Sequence, residues 1–205
     1  MTGTFVAVVG PSGAGKDSVL DVARKRFAAD PSVVFPRRII TRPYGPGEDH
    51  RAVTIAEFAE LAHGGAFALT WRAHGLDYGI GIDVATHVAD GAVAVVNVSR
   101  TVLADLPQHF PRFAVVRVTV SEEVRRARLT QRGREDHTTV RARLARPDPA
   151  PDHAIDLEIV NDGTVEEAGA RLAGFVRRLW LGHPASEISI GRTPQKAASR
   201  PKVPR

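Results

Sequence analysis

Phe5-Val6-Ala7-Val8-Val9-Gly10-Pro11-Ser12-Gly13-Ala14-Gly15-Lys16-Asp17-Ser18 is the stretch of this 205-residue chain on which the fold turns. An apolar run, a glycine-rich segment and a lysine predict strand, turn and helix in succession. Glycine has no Cβ, so backbone N–H groups can curl around a polyphosphate. The helix that follows directs its positive end at the same anion, and Lys16 adds a mobile cation. The stretch therefore predicts a phosphate-binding P-loop built from Gly10, Pro11, Ser12, Gly13, Ala14, Gly15 and Lys16, with Asp17 and Ser18 opening the helix. A nucleoside triphosphate is the expected ligand.

One position departs from the usual pattern. The residue after the lysine is ordinarily Ser or Thr, whose hydroxyl ligates Mg²⁺; here it is Asp17. A carboxylate is a hard oxygen donor, which makes Asp17 a candidate metal ligand. Equally, an acid in the first turn of a helix is stabilised by the macrodipole.

Composition sets the frame around this motif. With 43% hydrophobic and 25% charged residues, the chain reads as an ordinary globular protein long enough for one α/β domain. No apolar run approaches the ~20 residues of a membrane span. The first strand begins too early to leave room for a signal peptide before it, and a cytoplasmic location is the expectation. The absence of cysteine excludes disulfides, thiolate zinc sites and cysteine nucleophiles. Of the formal +5 net charge, +4 lies beyond His183, where Arg192, Lys196, Arg200, Lys202 and Arg205 face the single acid Glu187. The body is nearly neutral and offers no electrostatic reason to expect nucleic acid. The expected division is a domain over 1–182 and a basic, disordered tail over 183–205, rich in Pro, Ser and Ala.

Along the chain, helices are expected from Asp17 to about Ala29, over 55–62 with Thr54 as N-cap, over 84–89, from Ser121 to Gly133, from Thr138 or Thr139 to Arg146, and over 165–181. Strands are expected around 33–35, 66–71, 92–98, 113–120 and 155–160, with a turn over 75–81. Strands alternating with helices predict a mainly parallel sheet flanked by helices.

Eight arginines crowd the segment 125–146: Arg125, Arg126, Arg128, Arg132, Arg134, Arg141, Arg143 and Arg146. Phosphoryl transfer spreads negative charge over the moving group, and an arginine-bearing lid neutralises it while excluding water. Arg125, Arg126 and Arg146 are assigned to the surface. A third group, Arg38, Thr41 and Arg42 on a loop after the second strand, suits an anionic acceptor, because guanidinium binds phosphate oxygens two at a time.

With these residues placed, the chain resembles the guanylate-kinase-like group of nucleoside monophosphate kinases over roughly residues 4 to 180. The matching landmarks are the P-loop, Thr41-Arg42-Pro43, Gly47-Glu48, Tyr78-Gly79, Arg132-Gly133 with Arg143-Leu144, and Val160-Asn161-Asp162. The resemblance implies an α/β P-loop NTPase fold with small acceptor-binding and lid segments. It also implies that Arg42 and Tyr78 hold the acceptor phosphate, that Arg132 and Arg143 contact the donor phosphates, and that Asn161 lies near the adenine.

The departures concern the base. Where guanylate kinases read guanine with hydroxyls and acids, this chain has Arg38, Thr70, Ile80, Asn97 and Ser99. A buried donor or acceptor left without its partner costs about 1–3 kcal/mol, so guanine is disfavoured. A positive charge at Arg38 suits a second phosphate. The chain is similar to the ribose 1,5-bisphosphate phosphokinases of bacterial phosphonate degradation, on Gly15-Lys16-Asp17-Ser18, Ile40-Thr41-Arg42, the run from Trp71 to Gly79, the run from Val96 to Arg100, and Arg132-Gly133-Arg134-Glu135. That resemblance implies transfer from ATP, with Mg²⁺, to ribose 1,5-bisphosphate. Lys16, Arg132, Arg143 and Arg128 would act on the phosphoryl group, and Arg38, Arg42, Tyr78, Asn97 and Arg100 would seat the acceptor. Other readings are a guanylate or other nucleoside monophosphate kinase, or a non-catalytic binding domain of the same fold; Gly15-Lys16 and the lid arginines argue against the second.

Overall fold

Strands buried on both faces have no polar side to display, and the valine- and alanine-rich runs of this chain form such strands. In the computed structural model, which describes residues 2–45, 49–131 and 150–182, β1 (Thr4–Val9), β2 (Val33–Val34), β7 (Val93–Asn97), β8 (Phe113–Thr119) and β9 (Leu157–Val160) make one five-stranded sheet in the order β2-β7-β1-β8-β9. Every pairing in it is parallel. Every residue of β1 is buried.

Period-two alternation sends neighbouring residues of β1 to opposite cores. Val6 and Val8 pack with Val19 and Leu20 of α1 (Lys16–Arg26) and with Leu172, Phe175 and Val176 of α6 (Val165–Trp180). Phe5, Ala7 and Val9 pack with Val84 and Val88 of α3 (Ile82–Ala89), with a 3₁₀ turn (Arg100–Asp105), and with α4 (Leu106–His109). Phe5 stacks on Phe110 with ring centroids 4.0 Å apart. The central strand thus ends, at Gly10, in the crevice between β7 and β8, the place where open α/β sheets bind ligands.

A second, four-stranded sheet carries β3 (Arg38–Ile40), β4 (His50–Ala52), β5 (Phe67–Ala73) and β6 (Leu76–Gly81) in the order β4-β3-β6-β5. Two expectations are corrected here. The expected turn over 75–81 is confined to His74 and Gly75, whose φ values are 55° and 74°, and Leu76–Gly81 is a strand paired with β5 and β3. Two positive φ values suit a two-residue hairpin turn. The glycines that read as breakers have a packing reason instead: a Cβ on Gly79 would lie 2.3 Å from the Phe67 ring. Arg38, expected on a loop, begins strand β3.

Helix boundaries follow their caps. Thr54 opens α2 (Ile55–His63) and Thr164 opens α6, each in a capping box with Glu57 or Glu167. The hydrogen bond from the Thr54 backbone, then that from its hydroxyl, holds the Glu57 carboxyl below the usual range. A lowered folded-state value means that this contribution is present above the ordinary carboxylate pKa and fades as pH falls through the folded one. Thr164→Ala is expected to cost about 1 kcal/mol and to lower the melting temperature by about 2–4 °C, measured by calorimetry. Helix α5 (Glu122–Gln131) follows Ser121, whose Oγ accepts from Val124 N at 3.5 Å. The expected helix up to Arg146 and the tail over 183–205 lie outside the described residues.

Candidate active site

The P-loop leaves β1 at Gly10 with φ 148°, passes Gly13 at 86° and enters α1 through Gly15 at 82°. These angles are accessible to glycine and strained for other residues. Lys16 folds back across the loop, donating from Nζ to Gly10 O at 2.9 Å and to Pro11 O at 3.1 Å. Asn161, at the end of β9 and 2% exposed, donates from Nδ2 to Ala14 O at 2.8 Å. It braces the loop from behind. A Cβ on Gly15 would stand 2.6 Å from that amide nitrogen.

Two arginines of α5 reach the same loop. Arg125, assigned to the surface from sequence, instead donates from Nε to Ser12 O at 2.8 Å. The error came from reading the helix in isolation, whereas β8 delivers its first turn beside β1. Arg126 does lie on the surface, paired with Glu122 at 2.8 Å. Arg128 Nη1 lies 3.5 Å from where a Gly15 Cβ would be; it is buried and has no hydrogen-bond partner among the described residues. A desolvated guanidinium donor at the mouth of a phosphate loop is matched by an anionic oxygen, since leaving it unpaired is costly. Arg132 and Arg143 lie outside the described residues.

Beside the P-loop helix opens a cleft, open to solvent, whose polar lining among the described residues is three arginines (Arg24, Arg38 and Arg42), three aspartates (Asp17, Asp21 and Asp49), His50 and Asn97. Arg38 and Arg42 come from β3 and the turn after it, and Asn97 from the C-terminal end of β7. Thr41 ties this corner to β6 by accepting from Asp77 N at 2.8 Å. His50 is 2% exposed, pairs with Arg42 O through Nε2 at 3.1 Å and stacks on Tyr44, so it shapes the backbone that carries Arg42. Arg24 and Asp49 were not anticipated. Asp49 binds Arg24 at 2.7 Å and Arg37 at 2.6 Å. The signal for Arg24 was present in the helical period, because positions 17, 21 and 24 share one face of α1.

Two expected acceptor residues stand elsewhere. Tyr78 is buried in the second sheet, stacked on Trp71 at 5.2 Å, and Arg100 is half-buried at the start of the 3₁₀ turn. Neither is among the described residues lining the cleft. His74, at the hairpin turn, is exposed.

Asp17 lies between loop and cleft. Its Oδ1 accepts from Asn97 Nδ2 at 2.7 Å and from Arg38 Nη2 at 3.2 Å. Among the described residues there is no cluster of three or more acidic or histidine side chains fit to hold a metal alone. Magnesium on a triphosphate needs no such cage; it takes most of its ligands from phosphate and water, with one or two protein oxygens. Among the described residues, no helix is long and apolar enough to cross a membrane.

Comparison with known proteins places this geometry. The chain is 52% identical over 170 residues to ribose 1,5-bisphosphate phosphokinase PhnN of Pseudofrankia inefficax, covering 83% of this chain and 88% of that one. It is 48% identical over 177 residues to the protein of the same name from Acidiphilium cryptum, covering 86% and 94%. A bifunctional ribose 1,5-bisphosphokinase-thymidine phosphorylase of Cupriavidus pinatubonensis is 44% identical over 201 residues, which are 97% of this chain and 32% of that protein. No protein-family model matches the chain. Among solved structures, guanylate kinase from Anaplasma phagocytophilum has the same fold, with a TM-score of 0.61 at 19% identity over 86% of this chain and 85% of that one. About half-identity across nearly the full length of the Pseudofrankia and Acidiphilium proteins decides the matter: the chain belongs to the ribose 1,5-bisphosphate phosphokinase family.

Proposed function

We propose that this protein transfers the γ-phosphoryl group of ATP to the 1-phosphate of ribose 1,5-bisphosphate, yielding 5-phosphoribosyl 1-diphosphate and ADP. The observation that carries the reading is the juxtaposition of a P-loop with a cleft whose polar lining includes Arg24, Arg38 and Arg42. Guanidinium groups suit an acceptor with two phosphates. The names of the relatives point to the same acceptor.

In this reading Lys16 and the P-loop amides hold the donor phosphates. Arg128, with Arg132 and Arg143 from the segment outside the described residues, offsets the charge that develops on the moving group. Asn161 and Arg125 keep the loop in shape through Ala14 O and Ser12 O. Arg38, Arg42 and Asn97 seat the acceptor; Tyr78 and Arg100, which do not line the cleft, have no part in this reading. The attacking atom is a phosphate oxygen already anionic at neutral pH, so no general base is required. Mg²⁺ would neutralise charge on the triphosphate, taking most of its ligands from phosphate and water, with the first turn of α1, at Asp17 and Ser18, the nearest source of a protein oxygen. Such chemistry belongs in the cytoplasm, where ATP is available.

Coupled ADP release, with ribose 1,5-bisphosphate and GMP offered separately, tests the assignment. Turnover of the sugar with little or none for GMP is expected. Preference for GMP overturns the acceptor, and turnover of neither favours a binding module.

A further inference from the structure

Three residues that break the ordinary pattern in the sequence meet on one oxygen atom. Asp17 stands where a P-loop usually has Ser or Thr, and its Oδ1 receives both the Asn97 amide at 2.7 Å and the Arg38 guanidinium at 3.2 Å. The donors lie 80 and 21 residues away in the chain and belong to different sheets, Asn97 to β7 and Arg38 to β3. Asn97 is 7% exposed and the Arg38 side chain 21% exposed. Both have lost much of their water and depend on a protein acceptor to keep their orientation.

Charge points the same way. A carboxylate at position 17 forms a charge-assisted hydrogen bond with the Arg38 guanidinium, whereas a hydroxyl supplies neither charge nor comparable strength. Both donors line the cleft beside Asp17. We infer that Asp17 is a positioning residue of the acceptor site, holding Arg38 and Asn97 in register for an anionic sugar phosphate, rather than a ligand of the metal. The inference rests on the acceptor reading above and gives the unusual carboxylate a place in it.

The test uses acceptor binding without metal, where ligation of Mg²⁺ can have no influence. Ribose 1,5-bisphosphate is titrated calorimetrically into the full chain in EDTA, first for the wild type, then for Asp17→Ser, Arg38→Ala and the double variant. Asp17 is 64% exposed, so Asp17→Ser is expected to melt with the wild type. Its dissociation constant for the sugar should rise about tenfold, from loss of a hydrogen bond to a charged group. The double variant should lose less affinity than the sum of the two single losses, because Arg38→Ala already removes one of the two interactions that Asp17 makes and leaves it only Asn97 to hold. With Mg²⁺ restored, half-saturation by the metal should be unchanged in Asp17→Ala, which, unlike Asp17→Ser, adds no hydroxyl able to ligate the ion; a raised half-saturation there overturns the inference. Sugar affinity equal to wild type overturns the inference, as does additive loss in the double variant. If the wild type itself fails to bind the sugar, the acceptor assignment falls, and that result is distinct from a wild type and an Asp17→Ser that bind alike.

Discussion

Lys16→Ala lowers kcat by about 10²–10³-fold, the scale on which a fixed charge-stabilising donor is lost from a transition state. Lys16 Nζ rests on Gly10 O at 2.9 Å and Pro11 O at 3.1 Å, so the ammonium is held over the loop by the backbone that also presents its amides. An ammonium has three donors and no fixed plane, which lets it keep a carbonyl contact while turning another proton to a phosphate oxygen. Phosphoryl transfer offers little covalent chemistry for the protein to perform, so removing a positioned cation strikes at the main source of rate. Stability should change little, because Pro11 O also accepts from Ala14 N at 3.3 Å and the loop keeps its braces at Ser12 and Ala14. Lys16→Arg should not rescue, since a planar fork cannot replace a compact ammonium in so tight a turn. Steady-state ADP release beside a thermal melt separates the two effects. A kcat within a few-fold of wild type in Lys16→Ala would remove the lysine from the chemistry.

What the sequence disclosed depended on how local the cause was. β1, β7 and the first half of β8 are legible because strand positions covered on both faces carry near-continuous apolar runs. Thr54 announces its helix because an N-cap is a local signal, and the capping box that Thr164 makes with Glu167 is equally local although the helical period alone marked that helix. The second sheet was harder: β3 and β4 are three residues each, and β6 carries two glycines, Gly79 packed under the Phe67 ring and Gly81 beside the Asp83 carboxylate, whose reasons lie outside their own strand. The P-loop could be read from one stretch, whereas the Asp17, Arg38 and Asn97 cluster could not, since its members meet only when both sheets are in place. Arg125 shows the same limit. Nothing within its own helix reveals that the first turn abuts Ser12.

Gly10→Ala should be the most disruptive single-atom addition in the donor site. An added Cβ would stand 2.1 Å from Val118 O, a backbone atom of the neighbouring strand that cannot swing aside like a side-chain tip. The φ of 148° adds strain of its own for a residue with a side chain. Relief requires β1 and β8 to part at the end of their pairing, where Val9 is in register with Arg117. Overpacking and backbone strain, each of about 1–3 kcal/mol, then act together, for an expected loss of about 2–6 kcal/mol. The displaced strand end also carries the loop, so ATP should no longer protect the variant against thermal unfolding as it does the wild type. Gly65→Ala supplies the control: its φ of 68° is also positive, but a Cβ there meets nothing within 4 Å. That variant should lose about 1 kcal/mol and retain its response to ATP. Urea unfolding with and without the nucleotide distinguishes the two positions. Equal losses at Gly10 and Gly65 would mean that conformational strain alone, and not the close approach of β8, demands glycine at the head of the loop.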